Sequence, residues 1–215
     1  HFNLFERLHM LHGFERTLED FYLEPEKIHR LIDMILEYKL AHFDETARRF
    51  GDRVHGLFLT DDWGTQENTL VSPAIFREFF LDRYRTLFDA IHGHGWHVLM
   101  HSCGRVNEFV PFFIEAGADV LNLQQPQAYG IEELGAAFAG RVCFLTTVDI
   151  QATLPTGNAE AIRSEARQLI EHWSKPSGGF IVFNYGDSEG IGVDDGVAEV
   201  MFRQFYDLRR YWAPS

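Results

Sequence analysis

The chain has few cysteines and no long apolar run, and each absence excludes a class of protein. Its two cysteines, Cys103 and Cys143, are too few for the disulfide framework of a small secreted domain. No apolar stretch approaches the roughly 20 residues that a helix needs to cross a bilayer, and the first residues lack the pattern of a secretion signal. We therefore predict a cytoplasmic protein without a membrane partner.

Basic residues are also scarce. The chain has 19 Lys and Arg against 32 Asp and Glu, a net charge of -13 at pH 7. Such a surface repels phosphate backbones, so we expect no nucleic-acid partner. With 215 residues and 46% hydrophobic content the chain can bury a full core, and no linker interrupts it. We predict a single domain over residues 1–215 that acts on a small molecule, and a homodimer stays open.

Apolar patterning predicts strands that alternate with helices. A helix is expected from Pro25 to about Phe50, a strand follows at 54–60, and Ser72-Pro73 begins the next helix. The alternation continues with strands at 98–101, 120–123, 142–148 and 179–183 and helices at 106–116, 131–138, 159–173 and 193–211. This rhythm predicts an α/β fold with parallel strands and right-handed crossovers. About five strands fit an open doubly wound sheet, whereas a (β/α)8 barrel needs eight.

The tripeptide His101-Ser102-Cys103 carries the clearest chemical signal in the sequence. Side chains at positions i and i+2 of a strand leave the same face, so the imidazole and the thiol would point in one direction. Imidazole and thiolate suit zinc, and a catalytic zinc ion commonly has three protein ligands and one open position. The pair therefore predicts part of a metal site, against the alternative of a packed cysteine beside a hydrogen-bonded histidine.

Polar residues follow the other predicted strands as well. Ligands bind at the carboxyl ends of parallel strands in open and in closed sheets, so these residues indicate a pocket. Each of them could equally be a turn residue or a helix cap. Cys143 begins its strand, far from this edge, and is interpreted as packing. The residues at these strand ends whose side chains can form hydrogen bonds are Asp61, Asp62, Trp63, Gln124, Gln125, Asp149, Asn184, Tyr185 and Asp187.

Several motifs resemble one known family. They are Thr60-Asp61-Asp62-Trp63-Gly64-Thr65-Gln66, Leu70-Val71-Ser72-Pro73, His101-Ser102-Cys103-Gly104, Leu121-Asn122-Leu123-Gln124, Val148-Asp149-Ile150-Gln151 and Gly178-Gly179-Phe180-Ile181. Their order resembles the uroporphyrinogen decarboxylase superfamily, and most of all its cobalamin-dependent methyltransferases for methanol, methylamine and chloromethane. The resemblance implies a TIM-type (β/α)8 barrel. This chain would correspond to its carboxyl-terminal two-thirds, without the amino-terminal strands.

The resemblance also implies a metal-assisted reaction. In the methyltransferase branch a His-x-Cys pair and a later cysteine bind zinc, which activates a thiol to receive a methyl group. His101 and Cys103 match the pair, and Asp187 stands where the later cysteine is expected. The resemblance implies methyl transfer between a methylated small molecule or thiol and a corrinoid on a partner protein. From their positions at or near the predicted strand ends, we expect catalytic roles for Asp62, Asp149 and Tyr185 and substrate binding by Trp63, Gln66 and Gln124.

Two alternative functions remain open at this point. A metal-free decarboxylase of the uroporphyrinogen type would bind carboxylates in a basic cleft, but the strand ends of this chain carry acids and amides. Arg105, just past the His-x-Cys pair, is the exception. A catalytically altered homologue could retain the pocket for binding alone, because the later cysteine is replaced.

Overall fold

The structure is a computed structural model that describes residues 2–213. The chain separates into two compact units, which meet between Val120 and Leu121. Within the described residues, no helix is long and apolar enough to cross a membrane.

The first unit consists mainly of helices around a pair of parallel strands. Strands β1 (Gly56–Thr60) and β2 (His97–His101) pair in parallel along their whole length, from Gly56 opposite His97 to Thr60 opposite His101. Both strands therefore end at the same level. The elements are α1 (Phe5–His12), α2 (Phe14–Leu23), α3 (Pro25–Phe50), β1 (Gly56–Thr60), α4 (Pro73–Phe76), a π-helical turn (Arg77–Leu81), α5 (Asp82–Gly93), β2 (His97–His101) and α6 (Val110–Ala116).

Aromatic side chains fill the core of the first unit. Trp63 is fully buried, and its ring stacks on Phe5 at 4.3 Å and meets Phe80 edge to face at 4.7 Å. Its indole N–H donates to the Tyr84 hydroxyl at 3.0 Å. Offset and edge-to-face contacts of this kind contribute energy beyond simple area burial, so the cluster fixes α1 and the π-helical turn around the loop that follows β1.

The second unit continues the alternation of strands and helices. Strands β4 (Cys143–Thr146) and β5 (Phe180–Val182) pair in parallel, with Phe144 opposite Phe180. The Leu123 N–H donates a backbone hydrogen bond to the Leu145 carbonyl on β4. Trp173 is fully buried against Phe144 and donates its indole N–H to the Ile131 carbonyl. The elements are β3 (Val120–Asn122), whose first residue belongs to the first unit, α7 (Pro126–Tyr129), α8 (Ile131–Phe138), β4 (Cys143–Thr146), α9 (Ala159–Trp173), β5 (Phe180–Val182) and α10 (Asp195–Asp207).

The predicted α/β fold is confirmed, and the differences lie at element ends. The helix from Pro25 to Phe50 and the helix at 159–173 are present as predicted. The helix predicted from 106 begins at Val110, because Pro111 favours the first turn of a helix and disfavours its interior. The last helix begins after Asp194, whose side chain caps it by accepting from the Val197 N–H.

Candidate metal centre

The candidate site forms where the chain leaves β1 and β2. The parallel pairing continues past both strands, since Asp61 N–H donates to the His101 carbonyl and Gly64 N–H to the Cys103 carbonyl, both at 3.1 Å. Arg105 N–H returns a bond to the Thr65 carbonyl at 2.7 Å. The two loops therefore run side by side and carry their polar side chains to one place.

Two glycines allow the loops to approach this closely. A Cβ atom on Gly104 would lie 2.2 Å from the carbonyl carbon of Gly64, and a Cβ on Gly64 would lie 2.7 Å from the carbonyl carbon of Gly104. Gly104 also has a φ of +77°, in the left-handed region that glycine adopts at little cost. Only glycine fits at both positions without moving one of the loops.

The paired loops bring together the side chains of Asp62, His101 and Cys103. Nε2 of His101 lies 3.2 Å from Sγ of Cys103 and 3.5 Å from Oδ1 of Asp62. Oδ1 of Asp62 also accepts a 2.8 Å hydrogen bond from the Cys103 N–H, which orients the carboxylate. One ligand atom from each residue lies within 4.8 Å of the others, and within residues 2–213 no other group of three such side chains does so.

The local electrostatics keep the thiol protonated until a cation arrives. Burial raises the pKa of the Cys103 thiol to about 12, and the nearby charge of Asp62 adds to the rise. At neutral pH Cys103 alone is therefore a poor nucleophile. A divalent cation favours the thiolate, so the residues are suited to metal binding coupled to loss of a proton.

Asp61, next to the candidate site, attaches α1 to the end of β1. Its carboxylate accepts from the backbone N–H groups of Leu4, Phe5 and Glu6 and from the Tyr84 hydroxyl. The first turn of a helix leaves such N–H groups without intrahelical partners, and here Asp61 satisfies them from a distant part of the chain. Burial raises the pKa of Asp61 to about 6, although these hydrogen bonds favour its charged form.

This attachment places Glu6 among the other acidic groups. Burial raises the pKa of Glu6 to about 7, with further contributions from the charges of Asp61 and Asp62. A hydrogen bond from the Asp62 backbone stabilises its carboxylate and partly opposes the rise. The sequence does not single out Glu6, because an acidic residue in the first turn of an amphipathic helix is usually exposed. No local signal in the sequence shows that it is buried.

The residues predicted to bind substrate lie in different surroundings. Trp63 has the contacts of a core residue, as described above, and Gln66 is exposed in the loop after β1. Gln124 is buried and donates to the Asn122 side chain at 3.1 Å. Substrate binding by these three residues stays a prediction.

Asp149, Tyr185 and Asp187 all belong to the second unit. The Asp149 carboxylate accepts hydrogen bonds from the backbone N–H groups of Gln127, Gln151 and Ala152. This is the pattern of an aspartate that stabilises a turn. Tyr185 is half-buried, and its carbonyl accepts from the Ser188 hydroxyl at 3.2 Å. Asp187 is exposed and accepts from the Gly190 N–H at 2.9 Å. The catalytic roles of Asp149 and Tyr185 and the ligand role of Asp187 also stay predictions.

Parallel strands joined by helices, with a candidate metal centre at two strand ends, define an α/β protein. The family model described as uroporphyrinogen decarboxylase (URO-D) matches residues 7–194, and the chain belongs to this family. No curated protein sequence matches the chain.

A solved methyltransferase shares the fold. The match to the methyltransferase from Methanosarcina mazei has a TM-score of 0.77 and 14% sequence identity. It covers 96% of this chain and 57% of the methyltransferase chain, so the present chain spans a little over half the length of that protein.

Proposed function

We propose that this chain transfers a methyl group between a methylated small molecule or thiol and a corrinoid carried by a partner protein, assisted by zinc. The observation that carries the proposal is the convergence of Asp62, His101 and Cys103 at the ends of β1 and β2. The solved methyltransferase of the same fold supports the choice of reaction.

The donor set fits zinc. Imidazole nitrogen, thiolate sulfur and carboxylate oxygen are the three ligand types that zinc takes in proteins, and three protein ligands leave one position open. His101 and Cys103 would hold the ion together with Asp62, and Asp187 remains the further predicted ligand. When bound, zinc supplies a Lewis acid that lowers the pKa of a thiol and so makes it a better nucleophile.

The chain's own residues would prepare this centre. Asp62 is oriented by the Cys103 N–H, and His101 lies against the ring of Phe58 with a centroid distance of 6.3 Å. Both contacts restrict the ligand side chains before any metal binds, which reduces the entropy that is lost on binding.

Metal analysis combined with a methyl-transfer assay tests the proposal. We expect about one zinc ion per chain and methyl transfer from methylcobalamin to 2-mercaptoethanol. His101→Ala should lose the zinc and lower the rate by about 100-fold or more, because loss of a direct ligand exceeds the 10- to 100-fold effect of outer contacts.

His97→Ala is the matched control, because His97 is exposed at the other end of the same strand. It should keep both the zinc and the rate. A chain that binds no stoichiometric zinc, with an unchanged rate in His101→Ala, would exclude the proposal. Decarboxylation of a porphyrinogen without metal would instead favour the decarboxylase reading, and ligand binding without turnover would favour a binding homologue.

A further inference from the structure

Two buried side chains of the segment that contacts the end of β1 have polar atoms without a partner. Both amide atoms of Asn3, Nδ2 and Oδ1, make no hydrogen bond, and neither does Oε2 of Glu6. Asn3 is 1% exposed and Glu6 is 9% exposed, so bulk water does not supply the missing partners. Buried polar groups are nearly always paired, and exceptions of this kind indicate a ligand or an ordered water molecule.

The fold itself makes no use of the Asn3 side chain. An asparagine three residues before Glu6, at the start of a helix, commonly caps that helix by accepting from its first N–H groups. Here Asp61 accepts from those N–H groups instead, including the Glu6 N–H at 2.6 Å. The Asn3 amide is left buried with its full hydrogen-bonding capacity.

Both residues are held at the strand end that carries the centre. The Asn3 N–H donates to the carbonyl of Thr60, the last residue of β1, at 2.9 Å. Glu6 receives a hydrogen bond from the Asp62 backbone, and its charge is close enough to raise the pKa of Cys103. The Glu6 carboxyl group therefore lies in contact with Asp62, one of the three residues of the candidate centre.

We propose that Asn3 and Glu6 bind the head group of the small-molecule substrate and select one that donates hydrogen bonds, such as an ammonium group. The carboxyl groups of Glu6, Asp61 and Asp62 disfavour an anionic head group by like-charge repulsion. Lys39 and Arg7 are cations near these acids. The Lys39 ammonium group donates to the Phe2 carbonyl at 3.0 Å, and the Arg7 guanidinium lies 5.8 Å from the centroid of the Phe2 ring. The inference rests on the proposed function, because it places the reacting end of the substrate at the metal.

Thiols that differ only in the head group test this selectivity. The protein is loaded with Co²⁺ in place of zinc, and thiol binding is followed through the sulfur-to-cobalt charge-transfer absorption. The probes are 2-aminoethanethiol, 2-mercaptoethanol and 2-mercaptoethanesulfonate. We expect the affinity for the amine to exceed the affinity for the sulfonate by about tenfold or more. A difference of this size is typical of one hydrogen bond to a charged group.

Two near-isosteric variants assign the selectivity to named residues. Glu6→Gln should reduce the ratio of amine to sulfonate affinity by about tenfold, and Asn3→Leu should weaken amine binding by a similar factor. Each variant is compared with the wild type for the same thiol, so differences in acidity among the thiols cancel. Glu15→Gln, an exposed substitution on α2, is the control and should leave all affinities unchanged. The cobalt spectrum without thiol reports whether each variant retains a folded centre.

The outcomes separate this inference from the proposed function. If cobalt and thiols bind but the wild type does not discriminate among head groups, the inference is wrong and the metal-assisted function stands. If Asn3→Leu raises thermal stability and leaves amine binding unchanged, Asn3 is an unpaired core residue without a ligand role. If neither cobalt nor zinc binds, the proposed function itself fails.

Discussion

At the scale of single residues, carboxyl groups at the end of β1 perform different tasks. Asp61 is fully buried and satisfied by backbone N–H groups and a tyrosine hydroxyl, so it attaches α1 to the strand. Asp62 is half-buried and directed toward His101. Glu6 keeps one oxygen without a partner. Neighbouring carboxyl groups raise one another's pKa, which makes the metal-free site less stable at higher pH.

Glu6→Gln should change the pH dependence of stability in the metal-free protein. The pKa of Glu6 rises from 4.5 to about 7 on folding, so the native state binds more protons than the unfolded state between these values. The contribution of this group to the free energy of unfolding therefore falls as pH rises from about 4.5 to 7 and is constant above. We expect the variant to gain about 2 kcal/mol relative to wild type between pH 4.5 and pH 8.

Urea unfolding at the two pH values, with a chelator present, measures this difference. Glu15→Gln again serves as the control, since an exposed carboxyl group has nearly the same surroundings in both states. A difference between Glu6→Gln and wild type that is equal at the two pH values would contradict the assignment of Glu6 as a buried acid.

At the scale of elements, the candidate metal centre depends on two parallel loops that approach each other closely at a pair of glycines. A Cβ on Gly104 would overlap the backbone of Gly64, so Gly104→Ala must displace one loop from the other. Displacement would separate Asp62 from the Cys103 N–H and move Cys103 relative to its partners. We expect zinc affinity to fall by about 100-fold, with loss of stability of about 2 kcal/mol from strain at a positive φ.

Gly93→Ala is the matched control for this prediction. Gly93 is the last residue of α5, and a Cβ there would meet nothing within 4 Å. Zinc titration and thermal unfolding of both variants distinguish the local effect from a general effect of adding a methyl group. Unchanged zinc affinity in Gly104→Ala would show that the loops tolerate separation.

The sequence predicts the elements better than the site. Apolar spacing and Pro25 predict α3, and the strand-end position of His101 and Cys103 predicts that both side chains leave one face. Asp62 was expected as a catalytic group, yet it lies beside the metal-ligand pair, because the loops pair beyond the strands. Asn3 and Glu6 could not be found from local patterning. Their burial depends on Asp61, which is 55 residues from Glu6 along the chain.

At the scale of the whole molecule, two aspartates are candidates for the third metal ligand. Asp62 belongs to the first unit and Asp187 to the second. Asp62 lies with His101 and Cys103. Asp187 is the ligand that the family resemblance implies, because it stands in the loop where a later cysteine is expected. This chain spans 57% of the solved methyltransferase and contains both aspartates. Whether Asp62 or Asp187 is the third ligand can therefore be tested directly in this protein.

Asp62→Asn and Asp187→Asn should separate these two assignments. Asparagine at 62 still accepts from the Cys103 N–H but has no negative charge, so the loop is retained while the ligand is weakened. We expect Asp62→Asn to lower zinc affinity by about 10- to 100-fold and Asp187→Asn to have a smaller effect, measured by competition with a chromogenic chelator. The reverse order would assign the third ligand to the second unit. Equal losses in the two variants would show that the metal needs both carboxylates, because the removal of either charge then weakens the same ligand set.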